Sequence, residues 1–351
     1  MSQTDARARD YRAQLAPGTP LRHGLERILR GRTGALVVIG QTDIIRRIST
    51  GGFALDTPFT PTALRELAKM DGAIILSASG DRIVAAGVQL MPDADLDTEE
   101  TGTRHRTADR VAQQSGCAVI TVSASMNTIS LFLDDQRYPI EAPGAILSRA
   151  NLALQTLERY RSRLRGILRR LSVLEVQDQV TVQDLVLLAQ RLEMVRRLER
   201  ETAGYVTELG TDGRLIELQL LEVNARATDL SEALTNDYRP DDTSEFSFDR
   251  TIELPDSDLA DLALVARTIG FTVPLEAEVS PRGYRQLASV QRLPHTVVQR
   301  LIDHFDGLQG ILGASITELR QVEGVGGHRA RALRDFLTQL TELSYAEPPG
   351  E

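Results

Sequence analysis

The chain contains almost no cysteine and almost no lysine, and each absence excludes a class of site. Cys117 is the only cysteine among 351 residues, which excludes an intramolecular disulfide and a cysteine-rich zinc site. Of the 40 basic residues 39 are arginine, and Met70 follows the one lysine, Lys69. The G-K-[ST] end of a Walker A loop therefore does not occur. Any bound phosphate must be held by arginine, hydroxyl groups or backbone amides.

Long apolar runs are also absent. No stretch approaches the roughly 18 consecutive apolar residues of a membrane helix. The first residues, MSQTDARARDYRAQ, lack the apolar core of a signal peptide. We therefore expect a cytoplasmic protein without membrane contact. A prior of about 150 residues per domain predicts two or three domains.

Negative charge is concentrated in one part of the chain. The net charge of −9 divides into −1 for residues 1–145, −8 for 146–280 and 0 for 281–351. This balance argues against a surface that binds nucleic acid everywhere, so any DNA contact must be local. No two histidines are spaced as HxH or HxxxH, which disfavours a histidine metal cluster; they are His23, His105, His295, His304 and His328.

Strand and helix patterns alternate in the first 145 residues. The Ser-Gly-Asp sequence ending at Asp81 predicts a tight hairpin, which excludes a purely parallel sheet. We predict an α/β domain with a mixed sheet over 1–145. Its predicted strands are 35–40, 73–79, 82–90, 117–123, 127–134 and 137–140, and its helices are 20–30, 61–69 and 104–115.

The rest of the chain is predicted to be helical. Residues 146–280 form a predicted spine of long helices, with a break at 180–181 and a loop at 236–257. Residues 281–351 contain two related units, 282–305 and 316–337. Each unit reads as a short helix, a tight turn and a longer helix.

Two motifs of the first domain could carry chemistry. Asp71-Gly72-Ala73 joins a helix to a strand, where Asp71 could hold a divalent metal or accept a proton, or could simply form a turn. In GTRHRTA (102–108) we expect Thr103 to cap a helix whose free amides and flanking arginines hold a phosphate. Two cations oppose the dipole of a helix N-terminus unless an anion lies between them. A solvated basic turn is the alternative.

Three further positions are candidates. We assign His105 to ligand positioning, because its flanking arginines disfavour the imidazolium. Ser123, at a strand end, could donate its hydroxyl to a phosphate. In the turn VEGVGG (322–327), glycines expose amides to a DNA phosphate, and an ordinary helix–turn–helix packing is the alternative.

These motifs resemble a known family. Asp71-Gly72-Ala73, GVQLMP at 87–92 and GTRHRTA match the diadenylate cyclase domain in order and spacing. GVGGHRA at 324–330 is similar to a helix-hairpin-helix motif, and 282–337 resembles a tandem pair of such motifs. Cyclase domain, helical spine and tandem hairpins together resemble the family of DNA integrity scanning proteins over essentially the whole chain.

The resemblance implies the synthesis of cyclic di-AMP from two ATP molecules. Asp71 would bind Mg²⁺ or Mn²⁺ and assist the attacking 3′-hydroxyl. Many relatives carry an acidic residue just after the serine, where this chain has Ala124 and Ser125. The implied ATP-binding residues are Gly72 and Leu90 in the nucleotide pocket, and Thr103, Arg104, His105, Arg106, Thr107 and Ser123 at the phosphates.

The resemblance also implies partners. Two cyclase domains would meet face to face in a homo-octamer, because each ATP must present its 3′-hydroxyl to the other's α-phosphate. The C-terminal domain would bind branched or damaged DNA and modulate the activity through Gly324, Gly326, Gly327 and Arg329. A noncatalytic DNA-repair scaffold and a nucleotide-sensing regulator remain alternatives.

Overall fold

The computed structural model describes residues 3–224, 230–240, 245–290 and 293–346. The chain divides into two compact units. The first contains residues 1–153 and 201–220, and the second contains residues 154–200 and 221–351. Each unit is described separately below.

The first unit is built on a mixed sheet with helices on both faces. Its strands are β1 (Ala35–Ile39), β2 (Ser49–Thr50), β3 (Phe53–Pro58), β4 (Ala73–Leu76), β5 (Arg82–Leu90), β6 (Ala118–Ser123), β7 (Thr128–Leu133) and β8 (Gln136–Ile140). Its first helices are α1 (Gln3–Gln14), α2 (Pro20–Arg30), α3 (Asp43–Ile48), α4 (Pro61–Leu67) and α5 (Thr103–Ser115).

The strand pairing confirms the predicted mixed sheet. The order is β2-β5-β4-β1-β6-β7-β8, with β3 also paired to β5. Strand β1 runs parallel to β4, and the other pairs are antiparallel. All residues of β1, β4 and β6 are buried, which explains why their apolar runs do not alternate with polar residues.

Capped amphipathic helices cover the sheet. Thr19 and Thr60 accept backbone hydrogen bonds in the first turns of α2 and α4, and a proline follows each cap. The apolar residues of α2 and α4 pack on one face of the sheet, with Leu25 fully buried. Helices α3 and α5 cover the other face, where Val111 is fully buried. The sheet therefore has an apolar core on each side.

Strand register gathers several loops at one edge of the sheet. Val37 pairs with Ile74 in the parallel direction, and Ala35 pairs with Val122 in the antiparallel direction. If the first register is extended by three residues, Gly34 lies opposite Asp71. If the second is extended by one residue, Gly34 lies opposite Ser123. Gly34 therefore lies between Asp71 and Ser123. The same edge therefore receives the starts of β1 and β4 and the end of β6.

Four elements of this unit carry too weak a pattern to be predicted from sequence. Helix α3 has six residues and β2 has two, which is too short for a periodic signal. Strand β3 is largely exposed and pairs along the side of β5, so its residues do not alternate between core and solvent. Helix α1 is polar around its circumference.

Long helices begin in the first unit and continue into the second, as the sequence predicts. The break near 180–181 lies between α6 and α7, where the Asp184 carboxylate accepts hydrogen bonds from the Thr181 N–H and hydroxyl. The predicted loop at 236–257 begins only after Tyr238 and includes a short 3₁₀ turn, Phe248–Glu253. These helices are α6 (Pro143–Gln177), α7 (Val182–Leu209), α8 (Arg214–Asn224), α9 (Leu230–Tyr238) and α10 (Leu262–Ile269).

The structure divides the chain differently from the predicted segments 1–145, 146–280 and 281–351. The boundary at residue 145 falls inside the first turn of α6, a continuous helix. Ile146 and Ala150 of α6 pack with Leu209 and Ile216, which explains why residues 201–220 return to the first unit. The boundary at 280 falls inside the second unit.

Two helix–turn–helix pairs lie near the C-terminus, where they were predicted. One pair is formed by α11 and α12 and the other by α14 and α15, around a shared core that includes Leu301 and Leu333. The helices are α11 (Tyr284–Ala288), α12 (His295–Phe305), α13 (Leu308–Gly313), α14 (Ile316–Leu319) and α15 (Gly327–Ala346).

A buried polar network anchors the first pair within its unit. The Glu175 carboxylate, which is fully buried, accepts hydrogen bonds from Arg285, Gln286 and Tyr238. Asp237 accepts the backbone N–H groups of residues 283–285 at 2.5–2.9 Å. Burial, and next the neighbouring Glu175, raise the pKa of Asp237 to about 7. The C-terminal segment is thus tied to α6 and α9 through buried charges.

Gly72→Ala is expected to destabilise the protein more than Gly80→Ala. Both glycines have positive φ, +104° and +73°, which costs a residue with a Cβ roughly 1–2 kcal/mol. A Cβ at Gly72 would also lie 2.6 Å from the Gly87 carbonyl carbon, whereas a Cβ at Gly80 meets open space. The extra overpacking should cost about 1 kcal/mol or more in the free energy of unfolding. Equal losses for the two variants, measured by urea denaturation, would contradict this packing argument.

Candidate functional site

Asp71 presents a free carboxylate where the starts of β1 and β4 and the end of β6 meet. It is exposed and stands between α4 and β4. Within residues 3–224 and the other described ranges, its side chain has no hydrogen-bond or ion-pair partner. Gly72 allows the chain to pass close to the backbone of Gly87 and Val88. The carboxylate is therefore available to an external group.

Helix α5 begins beside these strand ends, and its N-cap lies one residue before the residue expected to be the cap. Gly102 is the N-cap and makes no side-chain cap bond, so the prediction that Thr103 caps the helix is wrong. Thr103 is the first helical residue, and its carbonyl accepts the Thr107 hydroxyl at 2.9 Å. Because glycine supplies no capping oxygen, the first amides of α5 lack a side-chain acceptor from the cap.

Arg104 lies across Gly34, the residue between Asp71 and Ser123. A Cβ at Gly34 would stand 2.8 Å from the Arg104 Cζ, so any other residue there would displace the guanidinium. Gly34 was not singled out by the sequence analysis. Its signal in the sequence is only a glycine before a buried strand, and the contact with Arg104 arises from tertiary packing.

Arg104 and Arg106 are exposed cations without partners in the described part of the chain. Both lie in the first turn of α5, where the helix dipole disfavours positive charge. Among the other exposed arginines of this unit, Arg46 pairs with Asp43 at 2.9 Å, whereas Arg47 has no ion-pair partner among the described residues. An anion at the start of α5 would satisfy both the helix amides and the two guanidinium groups.

The His105 side chain points into the core, unlike those of Arg104 and Arg106. Its side chain is 7% exposed and packs edge-to-face on Phe132, with ring centroids 6.1 Å apart. Burial, and next the positive charge of Arg137, lower its pKa below 6.5. The neutral imidazole was expected, but its main cause is burial rather than the two flanking arginines. Its buried Nε2 has no hydrogen-bond partner among the described residues.

Ser123 and Leu90 are both largely buried. The Ser123 hydroxyl accepts the Met126 N–H at 3.3 Å and lies 3.3 Å from the Ser125 hydroxyl. Ser125 therefore lies beside Ser123 in this corner. Leu90 pairs with Ser49 at the end of β5 and packs in the core beneath α5. The Leu90 side chain is thus part of the core.

The four proposed DNA-binding residues differ in their local roles. Gly324 has φ +92°, and a Cβ there would lie 2.9 Å from Val297, so its glycine is required by the fold. Cβ atoms at Gly326 and Gly327 would meet open space, and neither φ is positive. The Arg329 guanidinium donates to the Gly324 carbonyl at 2.7 Å, which stabilises the turn.

Comparisons with known proteins identify the family. Residues 22–137 match the model described as DisA bacterial checkpoint controller nucleotide-binding, and residues 140–278 match the DisA bacterial checkpoint controller linker region. The chain is 52% identical to the DNA integrity scanning protein DisA of Frankia alni over 95% of each chain. It is 51% identical to that of Streptomyces coelicolor, covering 95% of this chain and 91% of the relative. The chain belongs to the DisA family. Its enzyme class is diadenylate cyclase.

Diadenylate cyclases generally use divalent metal ions, and the site offers limited ligands for one. The described residues contain no group of three or more His, Cys, Asp or Glu side chains that could hold a metal. Asp71 is a single free carboxylate. This donor set fits Mg²⁺, which proteins often bind through one or two carboxylates together with substrate phosphates.

No helix within the described ranges is long and apolar enough to cross a membrane.

Replacing both Arg104 and Arg106 by alanine should weaken ATP binding without destabilising the protein. Each charge-assisted hydrogen bond contributes about 1.5–3 kcal/mol, so we expect a loss of affinity of at least tenfold. Removing two cations from a helix N-terminus should leave the melting temperature unchanged or slightly higher. Arg267→Ala, at an exposed arginine of α10, serves as the control. Isothermal titration with a nonhydrolysable ATP analogue measures the effect, and unchanged affinity would mean that the phosphates bind elsewhere.

Proposed function

We propose that the chain condenses two ATP molecules into cyclic di-AMP and two pyrophosphates at the edge defined by Asp71, Gly34 and the start of α5. The observation that carries this proposal is the pair of unpartnered arginines, Arg104 and Arg106, at a helix N-terminus close to a free carboxylate. This combination suits a substrate with phosphate groups and a hydroxyl nucleophile.

Most of the proposed site residues bind the phosphates of ATP or support the helix that does so. Thr103, Arg104, Arg106, Thr107 and the amides of α5 hold the phosphates. Ser123 contributes its hydroxyl from the neighbouring strand end. His105, because it is buried, supports the first turn of α5 from below and remains neutral there. Such positioning and charge neutralisation account for most of the catalysis of phosphoryl-type transfer.

The nucleotide pocket is completed by backbone and by one carboxylate. Gly72 and the main chain at Leu90 contact the nucleoside. Asp71 orients the 3′-hydroxyl and would hold Mg²⁺ or Mn²⁺ together with phosphate oxygens, and the bound ion would neutralise charge on the transferring phosphate. In the reaction, each 3′-oxygen forms a bond to the α-phosphorus of the other ATP, and pyrophosphate leaves from that phosphorus.

The reaction requires two copies of the chain. One site presents one ATP, whereas each product phosphodiester joins atoms from two ATP molecules. A two-fold arrangement of cyclase domains brings two such sites together with the same contacts on both sides. We propose that these pairs assemble further into a homo-octamer.

The C-terminal helix pairs would bind branched DNA and modulate the cyclase. Gly326 and Gly327 support this role, because nothing inside the described chain requires glycine there. The absent side chains leave the first amides of α15 open to a phosphate. Arg329 would act mainly through its bond to Gly324, by holding the turn in shape. Several copies in one oligomer would favour branched over linear DNA through effective concentration.

Asp71→Asn should abolish cyclic di-AMP synthesis while the protein stays folded. Loss of the carboxylate removes a metal ligand, which should lower the rate by orders of magnitude. Asp135→Asn, an exposed aspartate after β7 at the opposite edge of the sheet, is the matched control. Chromatography of the products with Mg²⁺ or Mn²⁺ measures turnover. Near-normal turnover by folded Asp71→Asn protein would remove Asp71 from the mechanism, and no turnover by the wild type would favour a nucleotide-sensing regulator.

Gly326→Ala combined with Gly327→Ala should weaken the binding of a four-way DNA junction and the response of the cyclase to it. Basal synthesis and the melting temperature should not change, because the added Cβ atoms meet open space. Gly313→Ala, whose Cβ also meets open space, controls for the loss of a glycine. If junction DNA still alters synthesis to the wild-type extent in the double variant, the turn at 322–327 is not the sensor.

A further inference from the structure

Helix α6 carries a dense cluster of arginines in an acidic chain. Six of the twelve residues from 159 to 170 are arginine, and no carboxylate occurs between Glu158 and Glu175. The scarcity of lysine explains why these cations are arginines. It does not explain why they are concentrated here, or why the acids that are abundant elsewhere in 146–280 are missing.

Most of these arginines are exposed and unneutralised. Arg161 is the exception, since it is largely buried and pairs with Glu199. In the described ranges four of the others have no hydrogen-bond or ion-pair partner, and Arg159 donates to the Thr156 hydroxyl at 3.3 Å. The exposed members of the cluster are Arg159, Arg163, Arg165, Arg169 and Arg170.

The helix arranges three of them in one row. Leu157, Leu164 and Leu171 are buried and define the packed side of α6. At about 100° per residue, Arg159, Arg163 and Arg170 fall within about 40° of one another, in a direction about 120° around the helix from these leucines. At about 1.5 Å per residue the row is about 16 Å long.

Part of the acidic content of residues 146–280 is already paired. Asp249 binds Arg196 at 2.7 Å, Asp256 binds Arg197, and Glu245 lies 3.9 Å from Arg250. A row of closely spaced guanidinium groups is best complemented by a strongly anionic molecule with regularly spaced charges.

We propose that this α6 arginine row binds the phosphate backbone of duplex nucleic acid, separately from the C-terminal turns. Guanidinium groups bind phosphate oxygens with two parallel hydrogen bonds. A straight row about 16 Å long reaches several phosphates of a duplex that carries one charge per about 1.7 Å of axis. With no base-reading element in the row, the contact is independent of sequence and strongly dependent on salt.

The test compares two double variants of the full-length protein with equal charge change. Arg163→Gln with Arg170→Gln alters the row. Arg30→Gln with Arg250→Gln removes two arginines that have carboxylate partners at 3.9 Å. Fluorescence anisotropy with a labelled linear duplex, over a series of potassium chloride concentrations, gives the affinity and its salt dependence. Each phosphate contact contributes about 0.9 to the slope of log affinity against log salt.

The row variant should lose about 1–2 units of slope and bind the duplex several-fold more weakly at low salt, with an unchanged melting temperature. The control variant should bind like the wild type. The same difference in slope between the row variant and the control variant should persist when each is combined with Gly326→Ala and Gly327→Ala. This result would separate the proposal from the role of the turn. Equal slopes in the row and control variants would overturn the proposal. So would an altered oligomeric mass by light scattering with an unchanged slope, because the row would then be a contact between copies.

Discussion

The site depends on the absence of a side chain at Gly34. This residue lies at the start of the central strand, and the registers of β1 with β4 and β6 set Asp71 on one side of it and Ser123 on the other. Arg104 uses the space that a Cβ would fill. The Asp71 carboxylate, the start of α5 and the strand-end serine therefore meet because three strands end on the same side of the sheet and a glycine precedes the middle one.

Clusters of positive charge without nearby acids distinguish the two proposed binding surfaces. Some exposed arginines of this chain form ion pairs, as Arg46 does with Asp43, and such pairs at the surface contribute little to stability. Arg104, Arg106 and the α6 row are different, because their positive charge is not compensated by nearby acids of the described chain. Both groups are suited to phosphate, one at a helix N-terminus with free amides and the other along an exposed helix face.

Buried charge has a different role in the second unit. Glu175 and Asp237 bind Arg285, Gln286 and backbone amides where water is excluded. Removing one partner of such a network leaves an uncompensated buried charge, which is strongly destabilising. For this reason truncation before α11 is a poor way to isolate the cyclase, and point changes in the exposed turn are preferable.

The sequence by itself determined the buried strands, the capped helices α2 and α4, the mixed sheet and the placement of Arg104 and Arg106 in the first turn of a helix. These features depend on local periodicity and on turn residues. Only the tertiary structure decided that Gly102 rather than Thr103 caps α5, that His105 points into the core, and that residues 201–220 pack with the first unit. Each of these depends on contacts between residues far apart in the chain, and local sequence patterns carry no information about such contacts.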